Sequence, residues 1–326
     1  MTTATEPGAD PRAHTVADQL DQLLAVPRRP VDADDVAALR ALLQDAAARA
    51  VQLVEGHEAV HRLPLRLPKG RVADLASCER LAVARFAGPH DDAVSVPVLR
   101  GMALDRFVLH ELAVGPVADP YEDLLSMLDA QAEFTTRDQV IAAEDQLDLA
   151  PLAGAARDWV GLDPSWWPRT QTAAAVHLAD GSVVCEGRVD VELGGPLTGR
   201  PGVVVEVKTG RPHHGHLAEV THYALLVTLR DRSAPAVVAR WYPGGSLAHL
   251  TVTADLLHSA ASRLASAIGT WAELQVGRTP TETPGPACGW CPQADACPSA
   301  IPPTDPLADL DAAWETDTDT GPETDG

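Results

Sequence analysis

The sequence of 326 residues lacks the features that would place it in a membrane or outside a cell. No apolar run approaches the roughly 18 residues that a membrane-spanning helix needs, so we exclude an integral membrane protein. The N-terminal stretch MTTATEPGADPRAH lacks the basic and then apolar order of a signal peptide, which predicts a cytoplasmic protein. In that compartment, the five cysteines indicate metal binding or catalysis rather than disulfides.

Lysine is almost absent, because 23 of the 25 basic residues are arginine and only Lys69 and Lys208 are lysine. Arginine can replace lysine wherever charge alone matters. A retained lysine is therefore a candidate for a site that needs a compact ammonium group rather than a planar guanidinium. Lys208 is such a candidate because it follows a valine-rich segment with a carboxylate two residues before it.

A basic surface is also lacking, since the formal net charge is −21, which argues at first against a nucleic-acid partner. The acidic excess is local, however. It falls in residues 1–60 (10 acidic, 5 basic), 112–185 (12 and 3) and 301–326 (8 and 0). Residues 61–111 carry 6 acidic and 8 basic residues, and residues 186–300 carry 10 and 9. Acidity therefore does not exclude a nucleic-acid groove in these two segments.

Hydrophobic periodicity predicts helices first and strands later. Apolar residues at steps of three and four predict helices over 15–26, 31–54, 72–87, 99–114 and 120–160. Short valine-rich runs predict strands over 170–178, 182–193, 202–208, 234–242 and 247–253. Two further helices are predicted over 216–230 and 254–277. This order predicts an α/β fold with a mixed core.

Two carboxylates and a lysine fall on neighbouring predicted strands. Glu206 and Lys208 are two residues apart and therefore share one face of a strand. The preceding strand separates Asp190 from Val189 and Val191, and the loop GGPLTGRPG allows the two strands to pair antiparallel. Paired carboxylates suit Mg²⁺ or Mn²⁺, and a nearby ammonium can orient a water or offset phosphate charge. The alternative is a solvated polar face, which is the usual fate of an isolated E-x-K.

The order G-x-x-D, E-x-K and a helical tyrosine resembles the PD-(D/E)XK nuclease superfamily, specifically its RecB-like branch. In that family the helix carries Q-x-x-x-Y, and here Glu219 stands in place of the glutamine, four residues before Tyr223. An earlier helix of the family carries G-x-x-x-H, and here Gly101 is followed by Asp105 at the histidine position. The resemblance implies a restriction-endonuclease-like mixed sheet flanked by helices.

The resemblance also implies roles for individual residues. The groups expected to hold one or two Mg²⁺ or Mn²⁺ ions are Asp190, Glu206, the carbonyl of Val207 and Asp105. Lys208 would position the attacking water or stabilise the charged phosphorane, while Glu219 and Tyr223 would line the substrate groove. A solvated helix position is the alternative for Asp105, and His110 is the less favoured ligand because, five residues further along the helix, it faces elsewhere. A polar loop is the alternative to phosphate binding at the helix start for His213, His214 and His216.

Three of the five cysteines, Cys288, Cys291 and Cys297, form a C-x2-C-x5-C motif. A fourth thiolate would come from Cys78 or Cys185, and a cysteine beside valine in a strand, as at Cys185, is typical of buried packing. Four thiolates can hold Zn²⁺ or a [4Fe–4S] cluster, and their spacing alone does not distinguish the two.

The distance of Cys78 from the motif gives a second resemblance. It lies 210 positions before Cys288. One early cysteine followed by C-x2-C-x5-C is similar to the iron–sulfur nucleases of the RecB-like branch, such as the AddB nuclease domain and the CRISPR adaptation exonucleases. That similarity implies a [4Fe–4S] cluster that joins the two ends of a nuclease domain, with Zn²⁺ as the alternative.

Together these features and resemblances predict a metal-dependent DNA nuclease. The resemblance implies an exonuclease on single-stranded DNA or DNA ends, in repair, recombination or defence. A helicase or repair complex is the expected protein partner. Two alternatives are a catalytically degenerate nucleic-acid-binding subunit and an iron–sulfur redox protein. The expected organisation is a helical region over 15–60, a nuclease domain over 61–302 with a helical insertion at 115–165, and disordered ends at 1–14 and 303–326.

Overall fold

The computed structural model places one mixed β-sheet between two layers of helices. It describes residues 15–24, 31–57, 63–87, 94–209, 215–243 and 247–301. The predictions for both chain ends, and those for His213 and His214, concern residues outside these ranges. None of the helices described has the length and apolar character that a membrane crossing requires. The predicted class, an α/β fold with a mixed sheet flanked by helices, is confirmed.

The sheet has six strands among the described residues, one more than predicted. They are β1 Leu65–Pro68, β2 Arg169–Leu178, β3 Val183–Gly195, β4 Arg200–Val207, β5 Val237–Trp241 and β6 Ala248–Thr251. Their order is β1-β3-β4-β5-β6, with β2 on the other edge of β3. The β1–β3 and β4–β5 pairs are parallel, and the β2–β3, β3–β4 and β5–β6 pairs are antiparallel. β1 was missed because four residues are too few to show a period.

Both β1 and β4 pair with the same edge of β3, one after the other. β1 pairs along residues 183–186 of β3, and β4 pairs along residues 191–195. Because β1 is parallel to β3 and β4 is antiparallel to it, the carboxyl ends of β1 and β4 point towards each other. The residues that follow these strands, Lys69 and Lys208, therefore leave the sheet at the same place.

Eleven helices are described. In chain order they are α1 Val16–Leu24, α2 Ala33–Glu55, α3 Lys69–Ser77, α4 Glu79–Ala87, α5 Val96–Ala113, α6 Pro120–Ala130, α7 Phe134–Ala142, α8 Glu144–Leu147, α9 Ala150–Ala156, α10 Gly215–Asp231 and α11 Ala254–Gln275. The helix predicted over 72–87 is two helices, because Cys78 is extended, with φ −164° and ψ 123°. The helices predicted over 120–160 are four in number, and left-handed residues at Ala132 (φ 56°) and Asp148 (φ 44°) interrupt the segment.

Two separate cores pack against the two faces of the sheet. On one face, α2, α10 and α11 bury leucines that recur at helical spacing, including Leu43, Leu225 and Leu264. On the other face, α5 to α9 and α1 form the second core, which includes Leu104 and Phe107. The sheet is therefore covered on both sides, which explains why β4 is a nearly continuous run of valine.

The strand β3 changes its facing direction near Asp190, contrary to the expectation that Val189 and Val191 share one face. Val189 packs in the first core and Val191 in the second. The residue opposite Asp190 in β2 is Gln171, which has a left-handed φ of 50°. An interrupted pleat at this position explains how two alternate residues reach different cores.

Candidate functional site

Glu206 is the centre of the candidate site, and it lies in the interior of the protein. Apart from Arg200, Glu206 is the only charged residue of β4, and only 3% of it is exposed. Its Oε1 atom accepts hydrogen bonds from the ammonium groups of both lysines in the chain, at 2.6 Å from Lys69 and 2.8 Å from Lys208. Its Oε2 atom is buried and has no hydrogen-bond partner within the described ranges. A buried, unpaired carboxylate oxygen is costly unless another group binds it.

The two lysines also share a second carboxylate. Glu219 on α10 lies 2.7 Å from the ammonium of Lys208 and 3.1 Å from that of Lys69, both measured to its Oε2 atom. Burial alone would raise the pKa of Glu219, but the charges of Lys69 and Lys208 lower it to about 2. The sequence places this glutamate where the nucleases that it resembles have glutamine. In the structure, its negative charge holds the two ammonium groups beside Glu206.

Asp190 and Asp105 approach the same place from different elements. Asp190 on β3 accepts a 2.8 Å hydrogen bond from the backbone N–H of Val207. Asp105 lies on α5, whose Gly101 faces Thr209 just beyond β4. Burial and the charge of Glu206 raise the pKa of Asp105 to about 7. Burial, with Glu206 and Asp105, also raises the pKa of Asp190 well above its usual range.

Tyr223 closes the site from α10 and explains the glycine of the G-x-x-D motif. Its ring packs so closely on β3 that a Cβ atom at Gly187 would lie 2.6 Å from the tyrosine Cε1 atom. The ammonium of Lys69 lies 5.0 Å from the centre of the same ring, a favourable cation–π distance. Burial and the charge of Glu206 raise the pKa of Tyr223, so its hydroxyl stays protonated.

The donor set of this site suits a divalent cation. Four carboxyl groups meet two ammonium groups here, and full ionisation would leave an excess of two negative charges. The carboxyl groups are those of Asp105, Asp190, Glu206 and Glu219. A hard cation would favour the ionised forms of the crowded carboxylates and could bind the unpaired oxygen of Glu206. In the ranges described, no three His, Cys, Asp or Glu side chains are grouped closely enough to hold a metal as they stand. Binding would therefore require the side chains to move together.

A second candidate site is a small pocket where four of the five cysteines meet. Cys78, between α3 and α4, lines it together with Cys288, Cys291 and Cys297. The last three lie in or beside two short 3₁₀ turns, Pro286–Trp290 and Ala294–Ala296. Backbone hydrogen bonds, of which the one at Gly285 has the largest effect, lower the pKa of the Cys288 thiol and so favour its thiolate form. The thiols are therefore gathered, although they are not yet at the spacing of a closed metal site.

Two arginine–glutamate pairs hold the cysteine pocket together across the sequence. Arg278 binds both oxygens of Glu79 at 2.9 Å, and Arg80 pairs with Glu282. Both pairs join α4 to the segment after α11. Contacts between residues next to the cysteines therefore hold Cys78 close to the three cysteines that follow α11.

The remaining sequence candidates lie elsewhere. Cys185 is fully buried between β1 and β2, and burial raises the pKa of its thiol to about 12. His216 is buried and its Nδ1 atom lies 2.8 Å from the hydroxyl of Tyr242, so it is an interior residue rather than part of an exposed polar loop. His110 bonds the carbonyl of Gly115 at the end of α5.

Lys69 is the site residue that the sequence reasoning missed. The rarity of lysine pointed to it, since Lys69 is the only lysine of the chain besides Lys208. It was passed over because no motif surrounds it and because the strand before it, β1, was not predicted.

Comparisons with known proteins add little to this geometry. No protein-family model matches the sequence, and no curated protein matches it significantly. Among solved structures, the chain is similar to a putative exonuclease from Eubacterium rectale, at 14% identity and a TM-score of 0.43, over 76% of this chain and 93% of that one. It is also similar to SSO0001, at 13% identity and a TM-score of 0.27, over 68% and 94%. At these scores, neither similarity says what this chain does.

Proposed function

We propose that this protein is a metal-dependent nuclease of the RecB-like PD-(D/E)XK type that hydrolyses phosphodiester bonds in DNA. The observation that carries the proposal is the meeting of Asp190, Glu206 and Lys208 at the end of β4, with one buried oxygen of Glu206 unpaired. A solvated E-x-K would leave the glutamate exposed, and Glu206 is 3% exposed. Burial of an unpaired carboxylate oxygen favours a ligand-binding role over the solvated alternative.

The metal in this proposal is Mg²⁺ or Mn²⁺, held by Asp190, Glu206, the carbonyl of Val207 and Asp105. When bound, such an ion polarises a phosphate oxygen and lowers the pKa of a bound water. The raised pKa values of Asp105 and Asp190 support this assignment, because carboxylates that repel one another favour a shared cation.

The chain's own residues would position the substrate and the water. Lys208, held between Glu206 and Glu219, would orient the attacking water or offset charge on the phosphate. Lys69 holds the same two carboxylates, so we assign it a share of the same task. Two ammonium groups at one phosphate suit the charge that phosphoryl transfer develops. Tyr223 would form the wall of the groove beside them.

The four gathered cysteines form the second part of the proposal, in which Cys78, Cys288, Cys291 and Cys297 hold a [4Fe–4S] cluster, with Zn²⁺ as the alternative. Their common pocket and the lowered pKa of Cys288 support thiolate ligation. The cluster would fasten α3 and α4 to the segment after α11. Folding free energy would then include the free energy of cluster binding.

The test is a cleavage assay with a matched pair of variants. The full chain, purified without oxygen, is incubated with end-labelled single-stranded DNA and with linear duplex in Mn²⁺ or Mg²⁺. Lys208→Ala removes the ammonium at Glu206. Arg66→Ala is the control, because Arg66 lies on neighbouring β1 and pairs with Glu186 outside the site. Labels on either end report strand polarity and distinguish exonuclease from endonuclease products.

The expected result is divalent-dependent cleavage that Lys208→Ala abolishes and Arg66→Ala leaves unchanged. DNA binding without cleavage under either metal would favour the catalytically degenerate binding subunit. A visible spectrum with iron and sulfide analysis of the same preparation identifies the cysteine ligand. Reversible reduction of a brown protein that neither binds nor cleaves DNA would favour the redox protein.

A further inference from the structure

A cavity of about 230 Å³ adjoins the carboxylate site on the side of α3, α10 and α11. Its walls include Lys69 and Glu219, so it shares two side chains with the site described above. Apart from these, the walls are mainly small and apolar, including Val72, Ala73 and Ala260. The cavity is thus an extension of the candidate groove.

The cavity also accounts for an unusual helix. None of the residues of α3 is fully buried, although α3 lies against α10 and α11. Val72 and Leu75 of α3 are half-buried and face the cavity. Both side chains also pack against the edge of the first core, so they lie between packed residues and an open space. An apolar helix face that lines an open space suits a binding pocket.

His222 supplies a buried, neutral polar group to the wall of the cavity. It lines the wall and is only 5% exposed, and its Nε2 atom has no hydrogen-bond partner in the part of the chain that the structure describes. Burial, with the charges of Lys69 and Arg263, lowers the pKa of His222 to about 4. The imidazole is therefore neutral at pH 7 and can donate or accept one hydrogen bond at Nε2.

The mouth of the cavity is open and carries the guanidinium group of Arg263. The acidic residue Glu79 also lines the cavity, and its carboxylate is paired with Arg278. Arg263 and Ser266 of α11 are exposed, and both line the cavity. Arg263 donates a 2.8 Å hydrogen bond to the hydroxyl of Thr221, which fixes the guanidinium at this rim. A ligand with an apolar planar part and a neighbouring negative charge would match both the walls and the rim.

We infer that this cavity binds one nucleobase of the substrate strand, next to the phosphate that is cleaved. The inference rests on the proposed function. Because Lys69 and Glu219 line both the cavity and the carboxylate site, a base in the cavity would belong to a nucleotide next to the reacting phosphate. The volume lies below the roughly 300–1,000 Å³ of pockets that enclose drug-sized ligands, which suits a single heterocycle. His222 would bond an edge of the base, and the alanine-rich walls would cover its faces.

The experiment combines a substitution in the DNA with a substitution in the pocket. Single-stranded oligonucleotides carry one abasic residue at each position in turn, and anisotropy without divalent metal measures their affinity for the full chain. Cleavage in Mn²⁺ is measured on the same set. Ser266→Phe places a ring at the mouth of the cavity. Ser262→Phe is the matched control, because Ser262 is exposed on the same helix and does not line the cavity.

We expect one position, fixed relative to the cleaved bond, at which loss of the base weakens binding and kcat/KM about fivefold to tenfold, the effect of about one hydrogen bond. The same loss should occur in the Ser262→Phe variant. In the Ser266→Phe variant, binding of intact DNA should already be weak, and removal of the base should have no further effect. His222→Phe, which keeps a ring but removes the hydrogen-bonding atom, should reduce the discrimination between intact and abasic DNA.

The contrary results distinguish failure of the pocket from failure of the proposed function. Cleavage that Lys208→Ala abolishes, with no position sensitive to base loss, would overturn the pocket and leave the proposed function intact. Equal base sensitivity in the Ser266→Phe and wild-type proteins would do the same. Absence of both DNA binding and cleavage would overturn the two together, since the pocket has no substrate without them.

Discussion

The carboxylate site and the cysteine pocket are built in opposite ways. The first is assembled from strand ends and helix faces, where the sheet register fixes Asp190 and Glu206 and the cores hold α5 and α10 in place. The second is assembled from a break between helices and from two short 3₁₀ turns, with half-buried thiols. One site is held by the fold around it. The other is held by two arginine–glutamate pairs with a few hydrogen bonds around them and, on the proposed function, by a ligand of its thiols.

From this difference we predict which of the two sites keeps its structure when its proposed metal ion or cluster is removed. Removal of a divalent cation from the carboxylate site would leave Lys69 and Lys208 to neutralise Glu206 and Glu219, as they do in the described structure. Removal of a cluster from the cysteine pocket would leave few apolar contacts, because Ala287 is the only residue in its two 3₁₀ turns that is described as fully buried. We therefore expect the first site to affect activity and the second to affect stability.

The largest expected effect comes from Glu206→Gln. This change keeps the shape of the side chain and removes the charge that both lysines and the proposed cation share. On the proposed function, kcat/KM for DNA cleavage should fall on the order of 10³-fold. Glu186→Gln is the control on β3, because Glu186 pairs with Arg66 at the surface. Near-normal cleavage by Glu206→Gln would contradict the placement of the active site.

The second largest effect is expected at the cysteine pocket. Cys291→Ser should reduce the bound iron, or zinc, and lower the free energy of unfolding by several kcal/mol, because metal binding contributes directly to folding. Metal analysis and thermal unfolding measure the two quantities. Cys185→Ala should leave the metal content unchanged, since Cys185 lies in the core away from the pocket. Equal loss of metal in both variants would indicate general unfolding rather than loss of a ligand.

A smaller effect is expected from Lys69→Ala, which tests whether the second ammonium takes part. Cleavage should fall about 10- to 100-fold, because one of two charges at the phosphate is lost. The Mn²⁺ concentration for half-maximal activity should decrease, since the change removes a positive charge 2.6 Å from Glu206. Lys69→Arg should not restore the wild-type rate if a compact ammonium is required. An increase in the Mn²⁺ requirement of Lys69→Ala would show that Lys69 instead positions Glu206.

The parts of this architecture that depend on local pattern could be predicted from the sequence. Alternation places Glu206 and Lys208 together, and a short loop brings Asp190 to the neighbouring strand, so these three could be associated without coordinates. The main helices and the strands β2 to β6 follow from periodicity in the same way. Local pattern also separated Cys185, in a valine-rich strand, from the loop cysteines.

What could not be predicted depends on pairing between distant segments. β1 is four residues long and joins β3 across more than one hundred residues, so no local period signals it. Without β1, nothing places Lys69 opposite Lys208. The change of face at Asp190 likewise depends on the backbone of Gln171 in another strand. Because the helices of residues 120–160 break at left-handed residues that are not glycine, their boundaries were hidden as well.

The smallest expected effect tests the ion pairs that hold the cysteine pocket in the absence of its ligand. The hydrogen bonds of Arg278 lower the pKa of Glu79 in the folded protein, so the unfolded chain binds a proton more readily as the pH falls. The stabilisation is therefore present above the ordinary glutamate pKa near 4.5 and is lost as the pH falls through the lower folded value. Glu79→Gln should cost about 0.5–1 kcal/mol at pH 7, a value limited by solvent screening. In urea unfolding of metal-free protein, the wild type and the variant should converge in stability as the pH falls below 4.5 and through the lowered pKa of Glu79 in the folded protein. A constant difference over this pH range would show that Glu79 contributes through packing rather than through its charge.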